Sequence, residues 1–464
     1  MSRLVALTLL LCAVPQDEAV WKEIFGEVNL HSDAYPALQT MCDKIGHRLV
    51  GSENGRRAEE FAFKKFKEYG LDVHFEEFAF LGWQRGELLV AVTAPTSRKL
   101  IAYALGNTPS GEVEGEVLDC GWGTPGEFEK LGERVKGRIV FCFNGAPEGH
   151  RGVHRSEKMT LTEKYGGTAM VFANNVAGGP IQVGACAFGR ISGVPGVAID
   201  KETGDWLRRV ATDEKVTLKI SAKATSGPAT ARNVVAEIKG ESDEVVMLGG
   251  HLDSWDLAVG AIDNGVGIAV VFEAARTLAS LKRKPKRTIR FICFMGEEFG
   301  LYGSRAYVEK HAKELDGIAM MMNLDMCGKP SGFELYACDE ALDFFKSLTK
   351  RLERSGLKDA PSSKAGLHSD HQPFMLAGVP AMTLKGKLDE EQGKYYHSAG
   401  DTFNLVKEEY LNEAAAIAAI ALWELANAKE RPCPRLKPDV MKERCIRDNV
   451  REPLELAGEW PFGK

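Results

Sequence analysis

Three apolar runs of the sequence, each predicted to be a strand, are followed by residues that can bind a metal or move a proton. In chain order these are His251 and Asp253 after the run at 245–248, Glu297 and Glu298 after the run at 289–295, and Asp325 after the run at 318–324. In open α/β sheets, ligands bind beyond the carboxyl ends of the strands, so such side chains meet at one edge. Clustered carboxylates raise one another's pKa unless a cation lies among them. The pattern therefore predicts a metal site.

Histidine and carboxylate side chains are suitable zinc ligands. A lone histidine is usually structural, but His251 ends a strand and is followed at +2 by Asp253 and at +12 by Asp263. Asp253 is placed to hold the second imidazole nitrogen of this histidine. Asp256 is either a further group behind the ligands or a solvated turn carboxylate. His397, in "KYYHSAGDT" after the apolar run "AMTLKG", would be a weak candidate ligand on its own.

A phosphate-binding loop is the competing interpretation of this segment. Gly265 and Gly267 resemble the start of a dinucleotide-binding fingerprint, which should follow its strand directly. Here sixteen residues separate the strand from the first glycine, and Asp253, Asp256 and Asp263 lie between them. A pyrophosphate would meet negative charge there. We therefore expect the glycines to let a helix begin close beneath a metal site.

The rest of the sequence predicts the elements that position these residues. Long alternation of strand and helix patterns indicates an α/β fold with a doubly wound, mostly parallel sheet, built from residues 17–110 and 228–430. Residues 111–227 differ, because short β-type runs are separated by glycine-rich turns with two short helical patterns. We expect this part to be an inserted β-rich domain. Residues 431–464 have proline, charge and no clear period, which predicts a tail that wraps the surface.

The N-terminus predicts export. Residues 1–16 combine Arg3 with an eleven-residue apolar run, which is too short to span a bilayer but suits a signal peptide. Lipid attachment at Cys12 is disfavoured because the preceding Leu11 is bulky. No other segment is long and apolar enough to predict an integral membrane span.

Composition narrows the remaining classes of function. The chain has 464 residues, of which 44% are hydrophobic and 27% charged, as in ordinary globular proteins. Its net charge of −6 gives no general basic field for nucleic acid. The ten cysteines include no C-x-x-C pair. Cys433 and Cys445 could form a bridge, whereas Cys142, Cys293 and Cys327 lie in or beside apolar runs and are predicted to be buried thiols.

Five motifs together resemble one family. They occur in the family's order as "GGHLDSWDLAVGAIDNG", "FMGEEFGLYGS", "MNLDMCG", "SDHQPF" and "YYHSAGDT". The sequence is similar to the di-zinc exopeptidases of clan MH, which include bacterial secreted leucyl aminopeptidases and plasma glutamate carboxypeptidase (carboxypeptidase Q). The portion with "KGRIVFCF" and "GVPGVAIDKETGDWL" is similar to the protease-associated domain inserted in several members. The resemblance implies a zinc exopeptidase, phosphorylase/hydrolase-like fold.

The resemblance also implies a metal centre with two Zn²⁺ ions per chain. His251 and Asp325 would bind one ion. Glu298 and His397 would bind the other, and Asp263 would bridge the two. The two ions carry +4 and the three carboxylates −3, so a residual charge of +1 favours a bound hydroxide.

The catalytic roles implied by the resemblance fall on two further residues. Glu297 would be the general base and then the acid, and Asp253 would orient His251. The implied reaction is hydrolysis of a terminal peptide bond in a small peptide or dipeptide. Whether the amino or the carboxyl terminus is recognised stays open, and the insertion is expected either to cover the cleft or to mediate self-association as a homodimer.

Neighbouring polar residues receive plainer interpretations. Asp370 and His371 in "SDHQPF" are expected to form a structural loop facing the cleft rather than to assist catalysis. Tyr395 or Tyr396 could donate to a tetrahedral oxyanion. Asp401, in "SAGDT", is expected to shape its loop.

Two other classes of function remain open. A non-catalytic binding ectodomain of the same fold would have lost its ligands, but every ligand position is filled here. An acyltransferase resembling the glutaminyl cyclases would use a single zinc ion, against which the presence of both His251 and Asp325 argues.

Overall fold

The computed structural model describes residues 16–463. The signal segment predicted at residues 1–16, with Cys12, lies outside the described residues except for Gln16, the first residue of α1. The helices α1 to α14 are Gln16–His31, Ala34–Thr40, Glu53–Glu68, Pro125–Leu131, Arg155–Lys164, Lys201–Asp213, Val266–Ser280, Tyr302–Lys310, Leu342–Arg351, His371–Leu376, Glu390–Lys394, Glu408–Asn427, Pro438–Arg447 and Arg451–Ala457. The strands β1 to β14 are Asp72–Ala94, Arg98–Leu100, Tyr103–Ala104, Gly111–Asp119, Ile139–Phe143, Ala169–Ala173, Gly196–Ile199, Thr217–Ile238, Ser242–His251, Arg287–Phe294, Ile318–Asn323, Lys329–Tyr336, Ser362–Ser363 and Ala381–Lys387.

The apolar runs predicted as strands form the centre of the sheet. β14, β11, β9 and β10 lie side by side and run parallel. Antiparallel strands flank them, since β12 pairs with β14 and β8 pairs with β10. The α/β fold class is confirmed, with a mixed sheet whose central strands are parallel.

Helices cover both faces of this sheet, as a doubly wound fold requires. On one face lie α7 and α12, and Phe272 of α7 makes edge contacts with Phe61 and Phe66 of α3. On the other face, Phe374 of α10 packs against Phe294 of β10 and Tyr307 of α8. Burying an aromatic side chain of this size contributes about 2–3 kcal/mol, so both faces add to the core.

Helix α3 illustrates how local sequence sets an element. The hydroxyl of Ser52 accepts a hydrogen bond from Gly55 N at 3.0 Å and so caps the start of α3. Gly70 follows the helix with φ +80°, a conformation that favours glycine.

The inserted segment has its own sheet, joined to the main one by a long ribbon. β4, β5, β6 and β7 run parallel, and β3 adds antiparallel to β7. Three helices, α4 to α6, accompany these strands where two helical patterns were predicted. β8 pairs along its length with β1, and its two ends pair with β4 and β10. The junction predicted at residues 227–228 therefore falls within a continuous strand.

The tail contains two helices, α13 and α14, which its sequence did not indicate. Their apolar positions are too few to produce a clear period in the sequence. The disulfide joins Cys433 to Cys338, so the bridge considered between Cys433 and Cys445 is wrong. Spacing along the chain could not reveal a partner 95 residues away. The three cysteines predicted as buried thiols are free and buried.

None of the helices within residues 16–463 is both long enough and apolar enough to cross a membrane.

Candidate metal centre and cleft

Three neighbouring parallel strands bring the predicted residues to one edge of the sheet. His251 is the last residue of β9, and Asp325 follows β11 after one intervening residue. Glu297 and Glu298 lie in the turn between β10 and α8. Because β11, β9 and β10 are adjacent and parallel, their carboxyl ends converge as expected.

Two further candidate ligands come from loops. Asp263 lies in the kinked segment Ala261–Gly265 that precedes α7, with a non-helical backbone of its own, and His397 lies in the loop after α11. Gly267 lets α7 begin close beneath the site, since a Cβ there would lie 2.2 Å from the Asn264 side-chain oxygen. This agrees with the role expected for the glycines.

The five predicted ligands form two groups that share Asp263. Its Oδ1 lies 3.1 Å from His251 Nε2, and its Oδ2 lies 2.9 Å from His397 Nε2. Asp325 Oδ1 is 3.4 Å from His251 Nε2, and Glu298 Oε2 is 3.1 Å from His397 Nε2. Within each group the donor atoms lie within 4.8 Å of one another. Oε1 of Glu298 is buried without a hydrogen-bond partner, so the donor set fits divalent cations.

Charges within this cluster shift the pKa values of its members. Burial would lower the pKa of His397, but the carboxylates of Glu298 and Asp263 outweigh it and raise this pKa to about 9. Burial raises the pKa of Glu298, against the attraction of His397. Burial also raises the pKa of Glu297 well above its usual value; His251 opposes this rise, and the Asp325 and Glu298 carboxylates increase it.

The side chain of Asp253 supports the site mainly through hydrogen bonds to the backbone of the Glu297–Glu298 turn. Its carboxylate accepts hydrogen bonds from the backbone N–H groups of Glu297 and Glu298, at 3.2 and 3.3 Å. His251 Nδ1 lies 3.1 Å from the Asp253 carbonyl oxygen and 3.7 Å from its carboxylate. The carbonyl is thus nearer to the imidazole than the carboxylate that was expected to orient it.

Several supporting residues were not identified from the sequence. Trp255 Nε1 donates to Glu298 Oε2 at 2.5 Å, and Ser369 Oγ donates to Asp325 Oδ2 at 2.7 Å. The fully buried Arg48 donates to the carbonyls of Leu252 and Gly260, at 2.7 and 2.8 Å. The tryptophan belongs to the first family motif, in the part "HLDSWD", so the resemblance could have pointed to it. Nothing in the sequence links Arg48 to this loop.

The structure also places Asp401, Asp370 and His371, which were expected to have structural roles. Asp401 accepts from the backbone N–H groups of Ile262 and Asp263, at 2.7 and 3.0 Å, so the loop that it shapes is the one carrying the shared carboxylate. The His371 ring stacks on Tyr336 with centroids 3.5 Å apart. Burial lowers the pKa of His371 to about 3 and raises that of Asp370 to about 7. His371 begins α10 rather than belonging to a loop, and both carboxylate oxygens of Asp370 are buried without a hydrogen-bond partner among residues 16–463.

Asp256 is neither a group behind the ligands nor a solvated turn carboxylate. It forms a bidentate ion pair with Arg85 of β1, at 2.8 and 2.9 Å. Both interpretations of this residue were therefore wrong, because its partner lies 171 residues away in the sequence. The ion pair fastens the loop after β9 to the ribbon.

A cavity of about 90 Å³ opens onto these residues. We call the side formed by the candidate ligands and Glu297 the inner wall. We call the remaining lining residues the outer wall, to which the inserted domain, the main domain and the tail contribute. The outer wall comprises His154, Arg155, Phe188, Leu301, Arg305, Met326, His368, Gln372, Tyr396 and Glu459.

The outer wall contains a guanidinium without a partner. Arg155 is 6% exposed, and it has no hydrogen bond or ion pair with any residue in the range 16–463; its Nε is fully buried. Gly184 makes room for it, since a Cβ there would lie 1.9 Å from Arg155 Cζ. The nearby rings of His154 and His368 stack 4.3 Å apart. Burial lowers the pKa of His154 well below its usual value and that of His368 to about 4, so both rings stay neutral.

The inserted domain also contacts the inner wall. The Val183 carbonyl oxygen lies 3.2 Å from His397 Nδ1, and Val183 N donates to the His397 carbonyl at 2.9 Å. Tyr396, whose ring stacks on His397 at 3.8 Å, lines the cavity, whereas Tyr395 does not. The insertion therefore covers the cleft.

Comparison with known proteins assigns this arrangement to a family. Residues 233–422 match the model of peptidase family M28, and residues 103–207 match that of the PA domain. The chain therefore contains a peptidase M28 region and an inserted PA domain, and it is a metallo-exopeptidase.

The relatives of this metallo-exopeptidase include proteins named for either terminus. Carboxypeptidase Q from Mus musculus is 28% identical over 412 residues, covering 86% of each chain. A peptidase M28 precursor from Shewanella amazonensis has the same fold, with a TM-score of 0.79 and 24% identity over 91% of this chain and 99% of that one. The zinc aminopeptidase BSAP from Bacillus subtilis has a TM-score of 0.66 and 24% identity, over 87% and 97%.

Proposed function

We propose that this M28 peptidase is a zinc-dependent exopeptidase that binds two zinc ions per chain and hydrolyses terminal peptide bonds of small peptides or dipeptides. The position of Asp263 carries the proposal, because one of its carboxylate oxygens faces His251 and the other faces His397. In the proposal, His251 and Asp325 hold one ion. Glu298 and His397 hold the other, and Asp263 binds both.

Zinc is the ion that this donor set suits best. Imidazole nitrogens and carboxylate oxygens are its usual ligands in hydrolytic sites, and the structurally similar BSAP is a zinc aminopeptidase. When bound, paired zinc ions would lower the pKa of water toward about 7 and polarise the scissile carbonyl.

The side chains around the ions have separate tasks in this proposal. Glu297 takes a proton from the attacking water and passes it to the leaving amine. The Asp253 carboxylate fixes the backbone N–H of Glu297, whose side chain lines the cavity. Burial raises the pKa of Tyr396 well above its usual value, so the phenol keeps its proton and can donate to the tetrahedral oxyanion.

Replacing the general base tests the mechanism. We expect Glu297→Gln to keep two zinc ions per chain, measured by elemental analysis, while kcat for a dipeptide falls roughly a thousandfold. Glu309→Gln, on the exposed side of α8, is the matched control and should change neither quantity. An unchanged kcat in Glu297→Gln would refute the assignment.

The same preparation separates the two alternatives. A single-zinc acyltransferase resembling the glutaminyl cyclases would bind one zinc ion per chain and cyclise peptides that begin with glutamine. A non-catalytic ectodomain would bind less than one ion after careful reconstitution and hydrolyse nothing.

Arg155 supports recognition of a free carboxyl terminus. An unpaired buried guanidinium is costly, and a carboxylate can accept two parallel hydrogen bonds from it. Because this guanidinium and the candidate ligands line one small cavity, the proposal favours dipeptides, for which aminopeptidase and carboxypeptidase labels converge.

Arg155→Gln tests this part of the proposal. We expect kcat/KM for a dipeptide to fall about a hundredfold, and kcat/KM for its C-terminal amide to change little, because truncating a buried charge partner costs several kcal/mol. Arg190→Gln, on the surface of the same insertion, is the control. Equal losses on acid and amide would contradict carboxylate recognition.

Other predictions from the sequence enter the proposal unchanged. Export through a signal peptide at residues 1–16 would be checked by sequencing the N-terminus of the secreted protein. A homodimer would be detected by light scattering. The predicted domain limits, 17–110 with 228–430, 111–227 and 431–464, would be tested by limited proteolysis.

A further inference from the structure

The tail crosses from the main domain to the insertion. The disulfide between Cys433 and Cys338 fixes its start, and Arg444 of α13 pairs with Glu340 at 2.6 Å. α14 then packs against α5 of the insertion, where Leu456 joins a buried apolar cluster. These contacts lie beyond residue 422, where the match to the M28 family ends.

The end of this path delivers a charged side chain to the cleft. After Gly458, which closes α14 with φ +73°, Glu459 lines the cavity. Its Oε1 lies 2.6 Å from a terminal nitrogen of Arg305, and its Oε2 accepts from Gln372 Nε2 at 2.7 Å. Arg305 is further held by a 2.9 Å bond from its Nε to the Gly300 carbonyl.

These contacts set the charge of the outer wall. Among the residues lining it, the permanent cations are Arg155 and Arg305, and the anion is Glu459, because both imidazoles are neutral. Arg305 has its charge compensated within the protein, and Arg155 does not. With the tail in place the wall carries +1, which matches one carboxylate. Without Glu459 it would carry +2.

We infer that Glu459 is a specificity-determining residue that neutralises Arg305, so that the cleft accepts the terminal carboxylate of a dipeptide but discriminates against a second anionic group. The favoured substrates are dipeptides with uncharged side chains. This inference rests on the proposed function. Specificity of this kind uses an unfavourable charge against the wrong ligand as much as an attractive one for the right ligand.

Two substrates that differ by one charge test the inference. For Glu459→Gln, we expect the ratio of kcat/KM for Ala-Glu to that for Ala-Gln to rise about tenfold over the native ratio, because Arg305 becomes available to the acidic side chain. Glu455→Gln is the matched control, since Glu455 lies in α14 four residues before Glu459, pairs with Arg451 and does not line the cavity. It should leave the ratio at the native value.

A second variant separates charge from shape. In Glu459→Gln/Arg305→Gln the gain for Ala-Glu should disappear, because the freed cation is absent. An unchanged ratio in Glu459→Gln, with native zinc content and native melting temperature, would overturn the inference. So would a gain that persists in the double variant. If the native protein hydrolyses neither dipeptide, the proposed function fails first, and the inference fails with it.

Discussion

The two walls of the cleft are built in opposite ways. The inner wall comes from strand ends and adjoining loops of the main domain, and most of its residues stand in short contiguous motifs such as "GGHLD" and "GEE". The outer wall joins three distant parts of the chain, represented by Arg155, Arg305 and Glu459. Chemistry can therefore stay constant on one wall while the other is changed to suit a different substrate.

The largest effect should come from the carboxylate shared on the inner wall. We expect Asp263→Asn to reduce kcat/KM roughly 10⁴-fold, about 5 kcal/mol of transition-state stabilisation, since both proposed ions lose a ligand. Zinc content, measured by elemental analysis, should fall below two per chain. Asp243→Asn, an exposed aspartate of β9, should behave as the native protein. If Asp263→Asn retained two zinc ions and native activity, the position of Asp263 between the two groups of ligands would have no role in catalysis.

A group behind the ligands should have an intermediate effect. Trp255→Phe keeps the aromatic ring but removes the donor to Glu298, and partners of this kind are worth 10- to 100-fold in metal affinity or activity, about 1.4–2.7 kcal/mol. Zinc dissociation constants and kcat/KM would both report it. Trp206→Phe in the insertion is the control. If Trp255→Phe bound zinc with native affinity, the hydrogen bond to Glu298 would not contribute to metal binding, and Trp255 would serve only in packing.

The pH dependence of zinc binding provides a further test of the proposed ligands on the inner wall. In the metal-free protein the pKa of His397 is about 9, so below that pH zinc must displace its proton. Affinity should therefore rise by up to about tenfold per pH unit from this group and level off above about pH 9. Chelator competition measures the affinity, and calorimetry in two buffers counts the released protons. Affinity independent of pH would show that the imidazole is already neutral.

The smallest effect should come from a surface ion pair behind the outer wall. Glu452 of α14 lies 2.9 Å from Arg151, with side chains 59% and 31% exposed. We expect Glu452→Gln to change the free energy of unfolding by no more than about 0.5 kcal/mol, because exposed pairs contribute little. Calorimetry would measure it. A loss above about 2 kcal/mol would mean that charge, rather than the disulfide and apolar packing, fixes the tail.

The sequence predicted the inner wall well because its geometry follows from strand direction. Parallel strands must end at a common edge, so His251 and Asp325 could be expected to meet without knowledge of side-chain packing. The residues that begin and end α3, Ser52 and Gly70, also act through local contacts. Asp253 shows the limit of such prediction. Its place in the site was predicted, but its main contacts, the backbone N–H groups of Glu297 and Glu298, were not.

The outer wall could not be predicted because its contacts depend on tertiary packing alone. Glu459 lies 154 residues from Arg305, in a segment without hydrophobic period. The partner of Cys433 and the Arg85–Asp256 pair were missed for the same reason. Residue type suggests that a charge needs a partner, but not which of many surface charges supplies it.

The ribbon of β1 and β8 bears on how molecules enter and leave. The pairing of β1 with β8 runs from Asp72 and Glu237 to Ala94 and Thr217. One end of β8 is hydrogen-bonded to β10 of the main sheet, and the other end is hydrogen-bonded to β4 of the insertion. Apart from register shifts between Arg85 and Leu88 and between Val92 and Ala94, the ladder is continuous. We therefore expect the insertion to keep its position over the cleft while a substrate enters and the products leave.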